Sequence, residues 1–168
     1  MYTALLYIHN MTKNHSRVKI ILETSSGQGS ELCFKIEDLS YFYRKLSENT
    51  NKEIADRFKI CVDTCHIFAA GYDIREPEDV DKYFDLFDKL IGLKNLYLVH
   101  LNDSLNDLSS RVDRHENIGN GFIGNRGLLH FAKLCVKYNI PMILETPEKL
   151  ENNMHKKEID KIVKYIFT

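Results

Sequence analysis

Two hydrophobic patterns take turns along this chain. Short, largely apolar runs occupy positions 18–22, 58–62, 96–99 and 141–144. Such runs are expected of parallel strands buried on both faces. Between them, apolar residues recur at helical spacing. Leu39, Phe42, Tyr43 and Leu46 share one stripe of a helix predicted over 36–46. Val80, Phe84, Phe87 and Ile91 form the stripe of another, with Pro77 at its start and Gly92 as its stop. A third helix is predicted over about 128–138. A last one over 153–167 carries Ile159, Ile162, Val163 and Ile166 on one face. Positions 2–13 also read as helix. The order is α(βα)4 around a parallel sheet, a single α/β domain over residues 1–168 without repeats, linkers or low-complexity tracts.

Each of the four apolar runs ends in a residue type that binds metals: Glu23, Asp63, His100 and Glu145. The gaps between them are 40, 37 and 45 positions, about the length of one strand–helix unit. Carboxylates and imidazoles at the carboxyl ends of successive parallel strands face one shared mouth, where α/β barrels keep their chemistry. An eight-stranded barrel needs about 250 residues. Four βα units in 168 residues therefore predict a partial TIM barrel, an open half-barrel with its first and last strands exposed.

Three further candidates follow the strands: His66, and Asp113 with His115 in a loop of nearly thirty residues between positions 99 and 128. A connection that long in a compact domain is expected to be functional. The mixed oxygen and nitrogen set suits Zn²⁺ or Mn²⁺ rather than Ca²⁺ or a thiolate-bound structural zinc. There are more donors than one ion uses, which points to a cluster bridged by a carboxylate. One strand-end acid alone would be read as a helix cap or salt-bridge partner; four in succession are not explained that way. His9, His15, His130 and His155 lack such context and read as structural or surface residues. Loop flexibility accounts for Gly119, Gly121, Gly124 and Gly127 more simply than a phosphate cradle does.

Composition narrows the class. Hydrophobic content of 43% and charged content of 28% suit a globular domain, and no apolar stretch reaches the roughly 20 residues of a membrane span. The N-terminus lacks a signal-peptide pattern, so an intracellular protein with no membrane partner is expected. A net charge of −1 does not announce a nucleic-acid partner in bulk, although bound cations would change the local field. Cys33, Cys61, Cys65 and Cys135 are irregularly spaced and read as reduced packing residues.

Five segments resemble the signatures of the endonuclease IV family of apurinic/apyrimidinic endonucleases. They are Leu22-Glu23-Thr24 with Gly27-Gln28-Gly29-Ser30; Cys61-Val62-Asp63-Thr64-Cys65-His66 through Gly71-Tyr72-Asp73; and His100-Leu101-Asn102-Asp103-Ser104. Ser110-Arg111-Val112-Asp113-Arg114-His115 through Gly119 and Ile143-Leu144-Glu145-Thr146-Pro147 complete the set. They run in order from about Lys19 to Pro147, and the resemblance is to the C-terminal half of the family's (β/α)8 barrel. It implies zinc-dependent hydrolysis of the DNA phosphodiester 5′ to abasic sites in base excision repair, with double-stranded DNA as partner. Of the family's three zinc ions, two would find complete sites here. Glu23 would bridge two metals; Asp63, His100 and Glu145 would complete the second; His66, Asp113 and His115 would hold the third. Glu23 and Glu145 are the catalytic candidates, and Arg111 and Arg114 the candidates for DNA contact. The first metal's two histidines lie, in the family, on earlier strands, so a separately encoded N-terminal half is an expected partner for activity. Leu105 and Ser109 depart from the Lys and Gly that the family often has. The alternatives are a metal-dependent sugar isomerase or epimerase, for which a third metal site has no role, and a non-catalytic remnant.

Overall fold

The computed structural model describes residues 1–15, 17–148 and 153–167. Its centre is a parallel four-stranded sheet, ordered β1 (Ile20–Glu23), β2 (Phe58–Asp63), β3 (Leu96–His100) and, last, the short strand Met142–Ile143. Asp63 lies level with His100 and Glu23 level with Cys61, so the polar strand ends gather along one rim. The predicted open half-barrel is the observed fold. β2, in the interior of the sheet, is buried along almost its whole length. The outer strands are not: β1 is half-buried and Ile143 is 47% exposed.

Helices cover the outer face. α1 (Tyr2–Met11) precedes β1, and α2 (Ile36–Ser47) follows it. α2 buries Leu39, Tyr43 and Leu46, as its stripe predicts, whereas α1 buries only His9 fully. Two short helices were not legible from periodicity: α3 (Lys52–Arg57), capped by Asn51, and α4 (Thr64–Ala69). α4 begins directly where β2 ends, and the Asp63 carboxylate caps it by accepting from the His66 N–H at 3.1 Å. α5 (Pro77–Leu90) starts at its proline, as expected, and packs Phe84 and Phe87 into the core with Phe58, Ile60, Val99 and Phe131. Val18, predicted as strand, is 60% exposed and precedes β1. Arg57 reaches back across this corner to the His9 and Thr12 carbonyls at 3.0 and 3.1 Å and so fastens the end of α1.

The long third connection is built around one buried carboxylate. Its two ends pair as a short antiparallel ribbon, β4 (Asp103–Ser104) against β5 (His115–Glu116). The Asp103 side chain, with no solvent exposure, accepts from the backbone N–H groups of Ser104, Gly119, Gly121, Ile123 and Gly124 at 2.8–3.3 Å. Gly119, Gly121 and Gly124 thus cradle an anion of the chain itself, and Gly127 lies within the following helix close against the Ile74 carbonyl, which replaces both the flexibility and the phosphate expectations. Gly121 has to be glycine, because a Cβ there would collide with the Ser104 carbonyl and the Asp103 carboxylate. The same N–H groups start α6 (Gly124–Lys137) four residues earlier than predicted. The sheet's last strand is β6 (Met142–Ile143), and α7 (Met154–Phe167) closes the described chain. No helix among the described residues is long and apolar enough to cross a membrane.

Replacing Asp103 by Ala would strand several buried N–H donors, each costing about 1–3 kcal/mol when unsatisfied. The expected outcome is a loss of about 3 kcal/mol or more in a urea titration. A midpoint equal to that of the unaltered chain would refute this role.

Candidate metal centre

All seven predicted donors converge at the carboxyl rim of the sheet. β1 delivers Glu23, β2 delivers Asp63 and β3 delivers His100, while Glu145 comes from the turn after β6. His66 projects from the first turn of α4, and Asp113 and His115 come from the long third connection. Two groupings result. Glu23, Asp63, His100 and Glu145 offer ligand atoms all within 4.8 Å of one another, with His100 Nδ1 3.0 Å from Glu23 Oε1 and 3.1 Å from Glu145 Oε2. Asp63, His66 and His115 form the neighbouring group. Asp113 spans its two imidazoles, one oxygen 3.2 Å from His66 Nε2 and the other 3.3 Å from His115 Nε2.

Proton positions argue that these contacts are not hydrogen bonds. His66 Nδ1 lies 2.8 Å from the Thr24 carbonyl and His115 Nδ1 3.3 Å from the Glu145 carbonyl. A carbonyl only accepts, so each Nδ1 carries the proton and a neutral ring leaves Nε2 as a bare lone pair. Both Nε2 atoms are buried without a hydrogen-bond partner, and both face carboxylate oxygens. Lone pairs held about 3 Å apart repel unless a cation sits among them. Backbone carbonyls fixing the outer nitrogen are also how metal-binding histidines are oriented.

The charge count points the same way. Four carboxylates meet three imidazoles, and no Lys or Arg pairs with any of the four among the described residues. Two divalent cations would balance them. Asp63 is fully buried, and that burial raises its pKa, against the pull of His66 and His115. Burial pulls the His66 pKa down, but Asp63, Asp113, the Thr24 carbonyl and Glu23 outweigh it and the net shift is upward. A proton on the ring would answer the carboxylates where no cation does; a bound cation would keep the ring neutral and its Nε2 lone pair available. The residues therefore fit divalent metal ions of the zinc type. The thiols of Cys61 and Cys65 are buried and free, as predicted; burial pushes Cys65 up to about 12 and Cys61 higher still.

Several residues that orient this centre went unnoticed in the sequence. Asn102, fully buried, donates from Nδ2 to Asp63 Oδ2 at 2.7 Å and accepts the Glu145 N–H on Oδ1 at 2.9 Å. It thereby sets two donors from different strands at once. The Thr24 hydroxyl accepts the Asp63 N–H at 3.0 Å, and Gln28 Oε1 accepts the Asp113 N–H at 2.9 Å. Buried Glu158 on α7 accepts from the Ile118 N–H and the Thr146 hydroxyl, pinning the segments beside His115 and Glu145. Hydrophobic patterning carries no signal for such residues; the quoted motifs contain Thr24, Gln28, Asn102 and Thr146 without giving them a role.

Arg111 and Arg114 are both exposed near the rim. Arg111 lies over the Phe34 ring at 4.7 Å, and Arg114 donates to the Asp113 carbonyl at 2.6 Å. Ser109 and Arg111 adopt φ of +64° and +53°. A glycine at 109 would hold that backbone without strain.

Comparison with known proteins places this geometry in a lineage. The sequence pattern of the xylose isomerase-like TIM barrels matches residues 2–165. A Clostridium botulinum (strain Alaska E43 / Type E3) protein named "Probable endonuclease 4" is 39% identical over 156 residues, covering 91% of this chain and 52% of its own. One of the same name from Chloroflexus aggregans (strain MD-66 / DSM 9485) is 45% identical over 129 residues, 77% of this chain and 43% of its own. The crystal structure of endonuclease IV from Thermus thermophilus superimposes with a TM-score of 0.81 at 28% identity, over 98% of this chain and 56% of that one. The chain spans about half the length of the curated relatives it matches. It belongs to the endonuclease IV family of xylose isomerase-like TIM barrels.

Proposed function

We propose that this chain is the metal-binding half of an endonuclease IV-type enzyme that hydrolyses the DNA phosphodiester 5′ to abasic sites in base excision repair. The observation that carries the reading is the pair of buried, unpartnered Nε2 atoms of His66 and His115 facing Asp63 and Asp113. Glu23, Asp63, His100 and Glu145 would hold one ion, and His66, Asp113 and His115 another, with Glu23 available to bridge to a further one. Zinc, or Mn²⁺ in its place, would supply Lewis-acid polarisation of the phosphate and make water a nucleophile at neutral pH.

The chain's own groups divide the remaining work. Glu145, Glu23 and Asp113 are the most exposed of the seven side chains, at 43%, 39% and 39%, and are the donors an incoming phosphate would meet. Glu145 Oε2 is placed to accept the proton released by an attacking water. Asn102 holds that carboxylate in position through the Glu145 N–H. Arg111 and Arg114, exposed beside the rim, would contact DNA phosphates and orient the strand. The group of His66, Asp113 and His115 beside the strand-end set favours this chemistry over aldose–ketose isomerisation, which has no role for it.

Elemental analysis of the purified chain should find about two transition ions per molecule. His115→Ala should remove about one of them, and no stoichiometric ion in the unaltered chain would sink the proposal. Asn102→Leu should weaken metal affinity by about 10–100-fold in a chelator competition while far-ultraviolet circular dichroism stays native. Unchanged affinity would deny Asn102 its orienting role. On duplex DNA with a single abasic site, the 168-residue chain alone should nick slowly, because each 1.36 kcal/mol of lost stabilisation costs about tenfold in rate. Mixing it with the N-terminal half of a relative should raise the rate at least tenfold; a folded, metal-loaded complex that nicks nothing would leave a remnant.

A further inference from the structure

We propose that Cys65 is a reserve ligand of the site formed by His66, Asp113 and His115, recruited by soft divalent ions such as cadmium and bypassed by hard ones such as manganese. The proposal rests on reading that site as a metal site. Cys65 stands in the first turn of α4, between Asp63 and His66, with no solvent exposure. Its Sγ, an oxygen of Asp113 and a nitrogen of His115 all lie within 4.8 Å of one another. A thiol in that position is held by weak hydrogen bonds alone, to the Arg114 carbonyl at 3.5 Å and with the Ser104 side chain. A movement within one helical turn would bring Sγ to a metal shared with His115 and Asp113, since metal–sulfur bonds are about 2.3 Å and metal–nitrogen bonds about 2.0–2.1 Å.

Donor number separates Cys65 from the other buried thiol at the centre. Cys61 Sγ is also within 4.8 Å of Glu23 and His100 ligand atoms, but Glu23, Asp63, His100 and Glu145 already supply four donors. A tetrahedral ion there needs no thiolate. His66, Asp113 and His115 supply three, and with Asp63 counted to the strand-end ion one position remains that a catalytic site keeps open for water or substrate. Sulfur from Cys65, which groups with Asp113 and His115 but not with His66, would fill it from their side and turn an open site into a closed one. Softness selects the ion: thiolate donors favour cadmium-like ions, and carboxylate and water suit manganese. The chemistry balances without an oxidant. The S–H bond breaks, the S–metal bond forms, and the proton leaves to solvent, because a coordinating thiol is deprotonated outright by the cation.

The test uses the full chain carrying Cys33→Ser, which removes the partly exposed thiol, titrated with Cd²⁺ alone. The expected result is a sulfur-to-cadmium charge-transfer band in the ultraviolet with the intensity of one thiolate per chain, and one ¹¹³Cd resonance, not both, shifted in the sense of one sulfur donor. Mn²⁺ should give no such band. Cys61→Ser should keep the Cd²⁺ band; Cys65→Ser and Cys65→Ala should lose it while Cd²⁺ still binds by elemental analysis. Bound cadmium without the band, or a band that survives both Cys65 substitutions, overturns the proposal and leaves the metal site standing. Failure to bind any ion overturns both. The ¹¹³Cd measurement needs no substitution at Cys65 and decides the matter even if those variants fold poorly.

Discussion

Mutual repulsion among four carboxylates is the constraint around which this molecule is arranged. Glu23, Asp63, Asp113 and Glu145 meet at one rim with three imidazoles and, among the described residues, no pairing Lys or Arg. Acidic groups so close are tolerated only if they take up protons or bind cations. The raised Asp63 and His66 pKa values are the protonic answer; the bare Nε2 atoms of His66 and His115 belong to the cationic one. A centre of this kind must be imposed by a rigid surround, because its own charges push it apart.

That surround is largely buried and polar. Asp103 gathers five N–H groups and so shapes the loop that brings Asp113 and His115 back to the sheet. Glu158 does the same from α7 for the segments beside His115 and Glu145. Asn102 and Thr24 fasten Asp63 from the two neighbouring strands, through its carboxylate and its N–H. Each bond exchanges a water contact for an internal one of modest net worth, but an unmet donor or acceptor in the same place would be expensive. The network's value is therefore in where it puts the ligands.

The strand-end donors were legible in the sequence because a buried parallel strand announces its own end: an apolar run stops, and the residue that stops it faces the rim. The same logic fails for α4, whose first turn, Thr64-Cys65-His66, follows β2 without any break in composition. It fails again for the glycines after Ile118, whose acceptor, Asp103, lies 16–21 residues away and gives no local sign. The β1 boundary slipped because Val18 is apolar by type yet exposed by position. Asn102 stood inside a quoted motif without a role for a simpler reason: nothing in an amide's neighbours tells that it joins Asp63 to Glu145. Long-range polar pairing is what patterning omits, and here it is what aims the site.

The arrangement also separates stability from chemistry. The core residues Leu46, Phe58, Ile60 and Phe87 take no part in the metal centre, and their burial does not depend on any ion. Apolar burial at roughly 25 cal/mol per Å² is indifferent to the charge state of the rim. Asp63 and Cys65 stand where the two regimes touch, the one a candidate ligand that also caps α4, the other a packed thiol beside two donors. Loading the rim should therefore be felt first in α4 and the third connection. The outer strands, half-buried β1 and short β6, belong to neither regime. Among the described residues no strand pairs with their outer edges, which are open hydrogen-bonding surface. On the proposed reading, a strand pairing with β1 would sit beside Glu23, the donor proposed to bridge outward, and would complete the sheet and the centre in one event.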